Sequence, residues 1–371
     1  MTRNRLLIFI VLAFSLIGNG HAIPHDVAVT RDVVYAHAMG YWASLPKAAE
    51  TYPEAYSEQM ISLAEQRMLP LTMDVYQPLT DSATARPLLL MIHGGAFFSG
   101  DKGDEEYAEW CRMFAANGYT AVSINYRMGF RPLEDAVERA AYRAVQDAHA
   151  AIRYLLGHAD EYHIDADRIY VAGCSAGAIT ALNIAFMTDE NRPRSTHGGG
   201  SWNNSEQGNI DFLAVEGDRY EPFRVRAIVN MWGALFNLDM LRTSPTPILS
   251  IHSLQDPVVP CAEGIPFTGL IRQMIREHTR INPIVDGLLP GAQILFDLAV
   301  DRTLDATANV VLPVVYGSSL IERRAQELGL HSRFISFDSP IHTLVRDEET
   351  GELNELHHTL FVEMLTFFDE I

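Results

Sequence analysis

Short apolar runs alternate with longer amphipathic segments along most of the chain. The runs are apolar at successive positions, which is typical of strands covered on both faces of a parallel sheet. Between two of them, from Val137 to Leu155, apolar residues recur every three or four positions, as in a helix with one buried face. This pattern predicts an α/β fold with a mostly parallel, doubly wound sheet and helices on both faces. The predicted strands of this kind are 87–92, 120–126, 168–172, 225–231, 247–252 and 334–337.

Three stretches depart from this pattern. Residues 71–76 alternate between apolar and polar, which predicts a half-exposed antiparallel strand near a sheet edge. Residues 191–217 are rich in Gly, Ser and Asn, and we interpret them as a long loop insertion. Residues 261–312 carry apolar stripes at helical spacing, which either a helical cap insertion or additional core would explain. We expect residues 23–371 to form a single domain that contains both insertions.

The composition is that of an ordinary globular protein, with 48% hydrophobic and 20% charged residues among 371. The formal charge of -19 argues against nucleic acid and anionic lipid surfaces as partners, because both would repel an acidic protein. A neutral or cationic substrate fits this charge. The sequence contains no C-x-x-C or H-E-x-x-H pattern, so it predicts no metal centre.

The N-terminal residues have the pattern of a secretory signal peptide. Arg3 and Arg5 precede an apolar run, 6–17, that is short for a membrane span. Small residues that end at Ala22 provide a cleavage site. We therefore predict that residues 1–22 are removed and that the mature protein is secreted or periplasmic, without a membrane anchor. An uncleaved anchor is the alternative.

Residues 173–177, Gly-Cys-Ser-Ala-Gly, match the pattern G-x-S-x-G between an apolar strand and an apolar helix. A strand that turns directly into a helix forces its central residue into a strained conformation and leaves room only for very small residues on either side. The strain presents the Ser175 hydroxyl at the top of the sheet, at the positive end of the helix. Ser175 is therefore the candidate nucleophile, and an ordinary strand–helix turn is the alternative.

The candidate acid is Asp256. A serine hydroxyl needs a base that accepts its proton and an acid that orients the base. In a sheet of this kind, both lie on loops after later strands, in the order Ser, Asp, His. Asp256 lies in a tight turn directly after strand 247–252, whereas its rival, Asp239, follows the preceding strand.

The candidate base is His342, one of 14 histidines. It lies in a loop after strand 334–337, from which an imidazole can reach back over the sheet. His357 and His358 compete with it, but they come just before a helical run, where a histidine is more often a surface or core residue.

A Gly-rich turn, His-Gly-Gly-Ala, begins at residue 93, directly after strand 87–92. Glycines let the backbone direct its N–H groups towards the oxyanion that develops during acyl transfer. We predict that the amides of Gly94, Gly95 and Ala176 form this oxyanion hole. The candidate pocket residues, for which core packing is an equal explanation, are Ala96, Phe97 and Trp232.

The G-x-S-x-G stretch, the His-Gly-Gly-Ala turn, Asp256 and His342, in this arrangement, resemble the α/β-hydrolase carboxylesterases over about residues 65–371. The resemblance implies acyl transfer to water through an acyl-serine intermediate, without a cofactor, on a small-molecule or carbohydrate-linked ester. Two features depart from the family: the long insertion at 261–312, and Ala96 where many relatives carry a third Gly. A serine peptidase of the same fold and a non-catalytic binding module are the alternatives.

Cys174 directly precedes the candidate nucleophile. In tannase-like and feruloyl esterases, a Cys at this position is bonded to a Cys directly after the catalytic His, but Thr343 follows His342 in this chain. The resemblance leaves two interpretations open, a disulfide between Cys174 and Cys261 or small buried thiols.

Overall fold

A computed structural model describes residues 25–44, 65–80, 82–130, 135–198, 205–218, 222–268, 312–347 and 349–371. The predicted signal peptide and most of the predicted cap, 261–312, therefore lie outside the described residues. In the described ranges the strands are β1 (Val27–Gly40), β2 (Arg67–Pro78), β3 (Arg86–Ile92), β4 (Thr120–Ile124), β5 (Ile164–Cys174), β6 (Val225–Met231), β7 (Ala234–Leu235), β8 (Ile248–Ser253), β9 (Glu263–Gly264), β10 (Val315–Gly317) and β11 (Ser332–Phe337).

Eight of these strands form one sheet, in the order β1-β2-β4-β3-β5-β6-β8-β11. β1 and β2 pair antiparallel with their neighbours, and the six strands from β4 to β11 pair in parallel. The prediction of a mostly parallel sheet is therefore confirmed. The carboxyl ends of the parallel strands meet at one edge of the sheet, where loops carry the candidate catalytic residues.

Helices cover both faces of this sheet, as predicted. They are α1 (Glu105–Ala116), α2 (Ala136–Gly157), α3 (Ala159–Tyr162), α4 (Ala176–Phe186), α5 (Ser318–Leu328) and α6 (Glu355–Asp369). Leu88 and Leu90 of β3 pack in the core beneath α2 and α4, whereas Leu89 and Met91 pack in the core beneath α1 and α6. Both faces of the strand are thus buried, which explains its unbroken apolar run. No helix in the described ranges is long and apolar enough to cross a bilayer.

Strand β2 is more buried than its alternating pattern predicts. It is antiparallel as expected, but Asp74 and Tyr76, on the face expected to be exposed, are buried as well. The reason is α1, because Tyr76 shares a core cluster with Trp110 and Phe114 of this helix, and β1 forms the edge of the sheet beyond β2.

The Gly-, Ser- and Asn-rich stretch 191–217 lies along α2 where it is described. The hydroxyl of Tyr142 donates to the carbonyl oxygen of Gly208 at 2.9 Å, and the side-chain amide of Gln146 donates to the carbonyl oxygen of Gln207 at 2.8 Å. Polar side chains of the helix thus satisfy backbone groups of the loop, which has few apolar side chains of its own.

A second, three-stranded sheet has the order β7-β10-β9, and its strands pair antiparallel. β9 lies within 261–312, the segment predicted to be a helical cap. The described start of the segment therefore contains a short strand, and the prediction of a helical cap concerns residues that lie mostly outside the described ranges.

Candidate active site

Ser175 lies at the turn between β5 and α4, with φ 53° and ψ -118°. This is the strained conformation expected where a strand turns directly into a helix. A Cβ atom added to Gly173 would lie 2.3 Å from the carbonyl oxygen of Gly177, and one added to Gly177 would lie 2.1 Å from that of Ile92. The amide of Ser175 donates to the carbonyl oxygen of Met231 at 2.9 Å, which ties the turn to β6.

Two hydrogen bonds join the three candidate catalytic side chains into a triad. His342 Nε2 lies 2.9 Å from Ser175 Oγ, and His342 Nδ1 lies 2.7 Å from Asp256 Oδ2. Because the carboxylate only accepts, Nδ1 carries the proton and Nε2 can accept one from the serine. The fold thus brings together side chains that are 167 and 86 residues apart in the chain.

The carboxylate of Asp256 is fully buried and strongly hydrogen-bonded. Its Oδ1 accepts the amides of Val258 and Val259 at 2.8 and 3.0 Å. Burial by itself raises the pKa of the Asp256 carboxyl, but hydrogen bonds from His252 and His342 outweigh it and lower the pKa to about 2. The group is therefore charged at neutral pH and can balance the charge of an imidazolium.

The rival residues are accounted for by other contacts. The side chain of Asp239 is 71% exposed and pairs with Arg324 at 2.9 Å. His357 is buried and stacks on Trp110, with ring centroids 4.4 Å apart. His358 is exposed on α6.

The Gly-rich turn lies next to the nucleophile. A Cβ atom on Gly94 would lie 3.3 Å from Ser175 Cβ, and Gly95 has a φ of 107°, which strongly favours glycine. Among the described residues, no acceptor pairs with the backbone amides of Gly95 and Ala176. These two amides are available to donate to an oxyanion beside Ser175.

Gly94 has a different partner from the one predicted. Its amide donates to the hydroxyl oxygen of Tyr107 at 3.0 Å, so this N–H group is already occupied. In this geometry, two of the three predicted amides, those of Gly95 and Ala176, are available to an oxyanion. Sequence reasoning missed Tyr107 because a buried tyrosine on a helix face carries no local signal of such a role.

Two spaces open beside Ser175. The larger is a cleft of about 470 Å³, and its border includes His342, Thr343, Trp232, Glu106, Ser99 and Phe98. The smaller is a recess of about 20 Å³ with an apolar wall, and its border includes Ala176, Ile179, Val137, Phe97, Phe236 and Phe267.

The three predicted pocket residues all border these spaces. Ala96 borders both, Phe97 borders the recess and Trp232 borders the cleft. All three have positive φ angles, of 58°, 58° and 47°, so the backbone is strained on both sides of the nucleophile. Phe97 and Trp232 are also almost fully buried, so the core-packing interpretation holds for them as well.

A buried glutamate that borders the cleft is paired with a partly exposed arginine. Glu106, in α1, is 2% exposed, and its Oε2 lies 2.8 Å from Nε of Arg346. Arg346 follows His342 by four residues, so the pair ties the loop of the candidate base to α1. Neither residue was singled out from the sequence, because an acidic residue in the first turn of a helix is common.

All three cysteines are buried, and none of them forms a disulfide. Cys174 Sγ lies 3.9 Å from the sulfur of Met231, within the core. The disulfide with Cys261 is therefore absent, and the interpretation as small buried thiols is the one that holds.

Comparison with known proteins gives the same assignment. Residues 73–245 match the BD-FAE family. The chain is 26% identical over 249 residues to an acetyl esterase of Salmonella schwarzengrund, which covers 60% of this chain and 68% of that protein. It is 24% identical over 255 residues to esterase LipC of Mycobacterium tuberculosis, which covers 64% of this chain and 60% of that protein. The chain is similar to the α/β-hydrolase esterases.

The esterase is similar to solved structures over 81% of its length. Est2 of Thermogutta terrifontis with propionate bound matches over 89% of its own chain, with 16% identity and a TM-score of 0.47. MGS-M1, an α/β-hydrolase enzyme from a Medee basin deep-sea metagenome library, matches over 92% of its chain, with 17% identity and a TM-score of 0.45. The acetyl esterase and esterase LipC relatives identify the protein as an enzyme of the carboxylesterase class of serine hydrolases.

Proposed function

We propose that the esterase hydrolyses esters of short acyl chains, acetate foremost, through an acyl-serine intermediate. The observation that carries this proposal is the hydrogen-bonded triad of Ser175, His342 and Asp256. His342 Nε2 lies 2.9 Å from Ser175 Oγ, and His342 Nδ1 lies 2.7 Å from Asp256 Oδ2. Its order of nucleophile, base and acid matches the requirement for activating a serine hydroxyl.

In the first half of the reaction, His342 Nε2 takes the proton of Ser175 as Oγ bonds to the ester carbonyl carbon. The amides of Gly95 and Ala176 stabilise the oxyanion, and Asp256 balances the charge on the imidazolium. The imidazolium then gives its proton to the leaving alcohol as the ester C–O bond breaks. In the second half, His342 takes a proton from water as the water oxygen bonds to the acyl carbon. The bond between the acyl carbon and Ser175 Oγ then breaks, the proton returns to Oγ, and the carboxylic acid leaves.

The shape of the site supports a short acyl chain. The leaving oxygen has to face His342, so the alcohol occupies the larger cleft, which this histidine borders. The acyl chain then points into the recess beside Ser175 and Ala176. At about 20 Å³ this recess has room for little more than one methyl-sized group, since a single water needs roughly 10–15 Å³ on a comparable measure.

The larger cleft supports an alcohol that bears further hydroxyl groups, such as a sugar. Ser99, Glu106 and Tyr107 offer polar groups there, and Phe98 and Trp232 offer ring faces. We expect acetylated glucose to have a higher kcat/KM than ethyl acetate, measured as acid release at constant pH. Equal values would contradict the preference for a hydroxylated alcohol.

We also propose export with removal of residues 1–22, supported by the charged and apolar pattern of the N-terminal sequence. Mass spectrometry of protein from the periplasm or medium should give a chain that begins at Ile23. An intact chain found only in the cytoplasmic fraction would contradict export.

Hydrolysis of p-nitrophenyl acetate by Ser175→Ala tests the reaction itself. Without the nucleophile, kcat should fall by a factor of about a thousand or more, while the circular dichroism spectrum stays unchanged. Ser336→Ala is the matched control, because Ser336 is exposed on β11 and should keep the parent rate. A folded Ser175→Ala protein with the parent rate would refute the mechanism.

A panel of p-nitrophenyl esters from acetate to octanoate tests the size of the acyl group. We expect kcat/KM to fall steeply beyond propionate. Ile179→Ala, which enlarges the recess, should restore part of the activity on butyrate relative to acetate. A parent enzyme that prefers octanoate would contradict the assignment of the acyl chain to the recess.

A further inference from the structure

A second imidazole, that of His252, contacts the carboxylate of Asp256. His252 Nε2 lies 3.2 Å from Asp256 Oδ2, the same oxygen that accepts from His342 Nδ1 at 2.7 Å. The side chains of His252 and Asp256 are both fully buried. One carboxylate oxygen therefore faces two histidines, one that borders the cleft and one enclosed in the protein.

The surroundings of His252 place a proton on its Nε2. Nε2 also lies 3.0 Å from the carbonyl oxygen of Val259, and because a carbonyl and a carboxylate only accept, Nε2 carries a proton. That proton faces both acceptors, the Val259 carbonyl oxygen and Asp256 Oδ2. On the other side, Nδ1 lies 2.7 Å from Ser318 Oγ, which accepts the side-chain amide of Asn230 at 3.0 Å.

The far end of this chain of hydrogen bonds is anchored in the fold. The side-chain amide of Asn230 also donates to Ser250 Oγ at 3.0 Å, and its oxygen accepts the amide of Gly233 at 3.0 Å. Asn230 lies on β6, Ser250 on β8 and Ser318 at the start of α5. The network therefore fixes the ring of His252 from three elements of the core.

We propose that His252 is a positioning residue for Asp256: its N–H holds the carboxylate in the orientation that His342 requires and takes up part of the charge on Oδ2. This role rests on the proposed function, because it presupposes that Asp256 and His342 act on Ser175. It does not make His252 a catalytic residue, since a buried ring behind the carboxylate touches neither the nucleophile nor the substrate space.

Loss of the donor has two expected consequences. Among the described side chains, His342 is then the one remaining donor to Oδ2, so this oxygen is held less firmly and kcat falls while binding of the substrate is unaffected. Oδ2 is also left with one donor in place of two, so more of its charge acts on His342 and favours the protonated imidazole. Since the reaction needs His342 unprotonated, activity should then be lost at a higher pH on the acid side.

The other charged and titratable groups near Asp256 and His342 are the same in the parent and in the variants. Trp232 meets the ring of His342 edge-on, at 6.4 Å between centroids. The titratable or charged groups around the cleft and the acid turn are Tyr107, Cys174, Glu106 with its partner Arg346, and Cys261. None of them is altered when His252 is replaced, so a shift of the acid limb reports on the contact between His252 and Asp256.

The experiment compares His252→Leu with His252→Gln, using p-nitrophenyl acetate from pH 5 to 9. Leucine removes the donor, whereas the side-chain amide of glutamine can keep one near the position of Nε2. In His252→Leu we expect kcat to fall by about tenfold or more, with KM within twofold of the parent. The acid limb, meaning the acid side of the plot of activity against pH, should shift to higher pH by on the order of 0.5 unit. His252→Gln should keep the acid limb of the parent.

Identical acid limbs in the parent and both variants would overturn the positioning role, even if stability or rate has fallen. If His252→Leu does not fold, Ser318→Ala replaces it, because it removes the hydrogen-bond partner of Nδ1 that orients the ring, and it should shift the acid side of the pH profile in the same direction by a smaller amount. An unshifted profile there overturns the role as well. Failure of the proposed function gives a different result, since the parent would then be inactive or Ser175→Ala would keep the parent rate.

Discussion

The nucleophile is fixed by backbone contacts, whereas the acid and the base are fixed by side-chain hydrogen bonds. On the nucleophile side of the site, which includes the turns at Gly95 and Ser175, a methyl group on Gly95 would lie 1.9 Å from the Ser99 carbonyl oxygen. On the acid–base side, the Asp256 carboxylate contacts two imidazoles and two backbone amides. We therefore expect the nucleophile side to be sensitive to added side-chain volume, and the acid–base side to be sensitive to the loss of hydrogen-bond donors and acceptors at constant volume.

Asp256→Asn should have the largest effect, a fall in kcat of about ten-thousandfold with little change in shape. A neutral amide cannot balance the charge of the imidazolium, and it no longer requires a proton on His342 Nδ1. Kinetics with p-nitrophenyl acetate measure the loss, and circular dichroism checks the fold. Asp239→Asn is the control for the exposed rival, and it should stay within twofold of the parent. A folded Asp256→Asn enzyme that loses less than tenfold would contradict the role of the acid.

Gly95→Ala should come next, with a loss of about a hundredfold in kcat, because the amide of residue 95 is displaced from the oxyanion. Gly118→Ala is a matched control. Gly118 also has a positive φ, of 90°, but a Cβ atom there meets no other atom within 4 Å. Both variants should lose stability in thermal unfolding, and only Gly95→Ala should lose activity. Equal losses of activity would mean that the turn beside Ser175 has no special role.

Tyr107→Phe should have the smallest effect, a change in kcat of less than tenfold. The substitution removes the partner of the Gly94 amide and leaves the amides of Gly95 and Ala176 unchanged. Steady-state kinetics on the short acyl esters measure it. A loss beyond a hundredfold would show that the hydroxyl of Tyr107 takes a direct part in the reaction.

The nucleophile side of the site could be predicted from the sequence because its backbone geometry restricts which residue types fit. Gly173 and Gly177 allow no side chain, and this requirement appears in the chain as a short pattern of fixed spacing. Asp256 and His342 leave no such pattern. They could be predicted only from the order of the strands, which the apolar runs indicate and the sheet confirms.

The supporting residues could not be predicted in either way. Ser318 meets His252 across 66 residues of chain, and Asn230 meets Ser318 across 88. Such buried polar contacts have no sequence period, because they depend on which strand ends and helix starts become neighbours in the folded chain. The burial of β2 on both faces has the same origin, since it depends on the packing of α1 against Tyr76.

Labelling with a fluorophosphonate, followed by peptide mass spectrometry, tests the central claim most directly, because this reagent reacts with an activated serine hydroxyl. The account predicts one adduct per chain, on the peptide that contains Ser175, with loss of esterase activity in proportion to labelling. His342→Ala should label far more slowly. An active enzyme that forms no adduct on Ser175, or that forms one elsewhere while Ser175→Ala still hydrolyses p-nitrophenyl acetate, would contradict it.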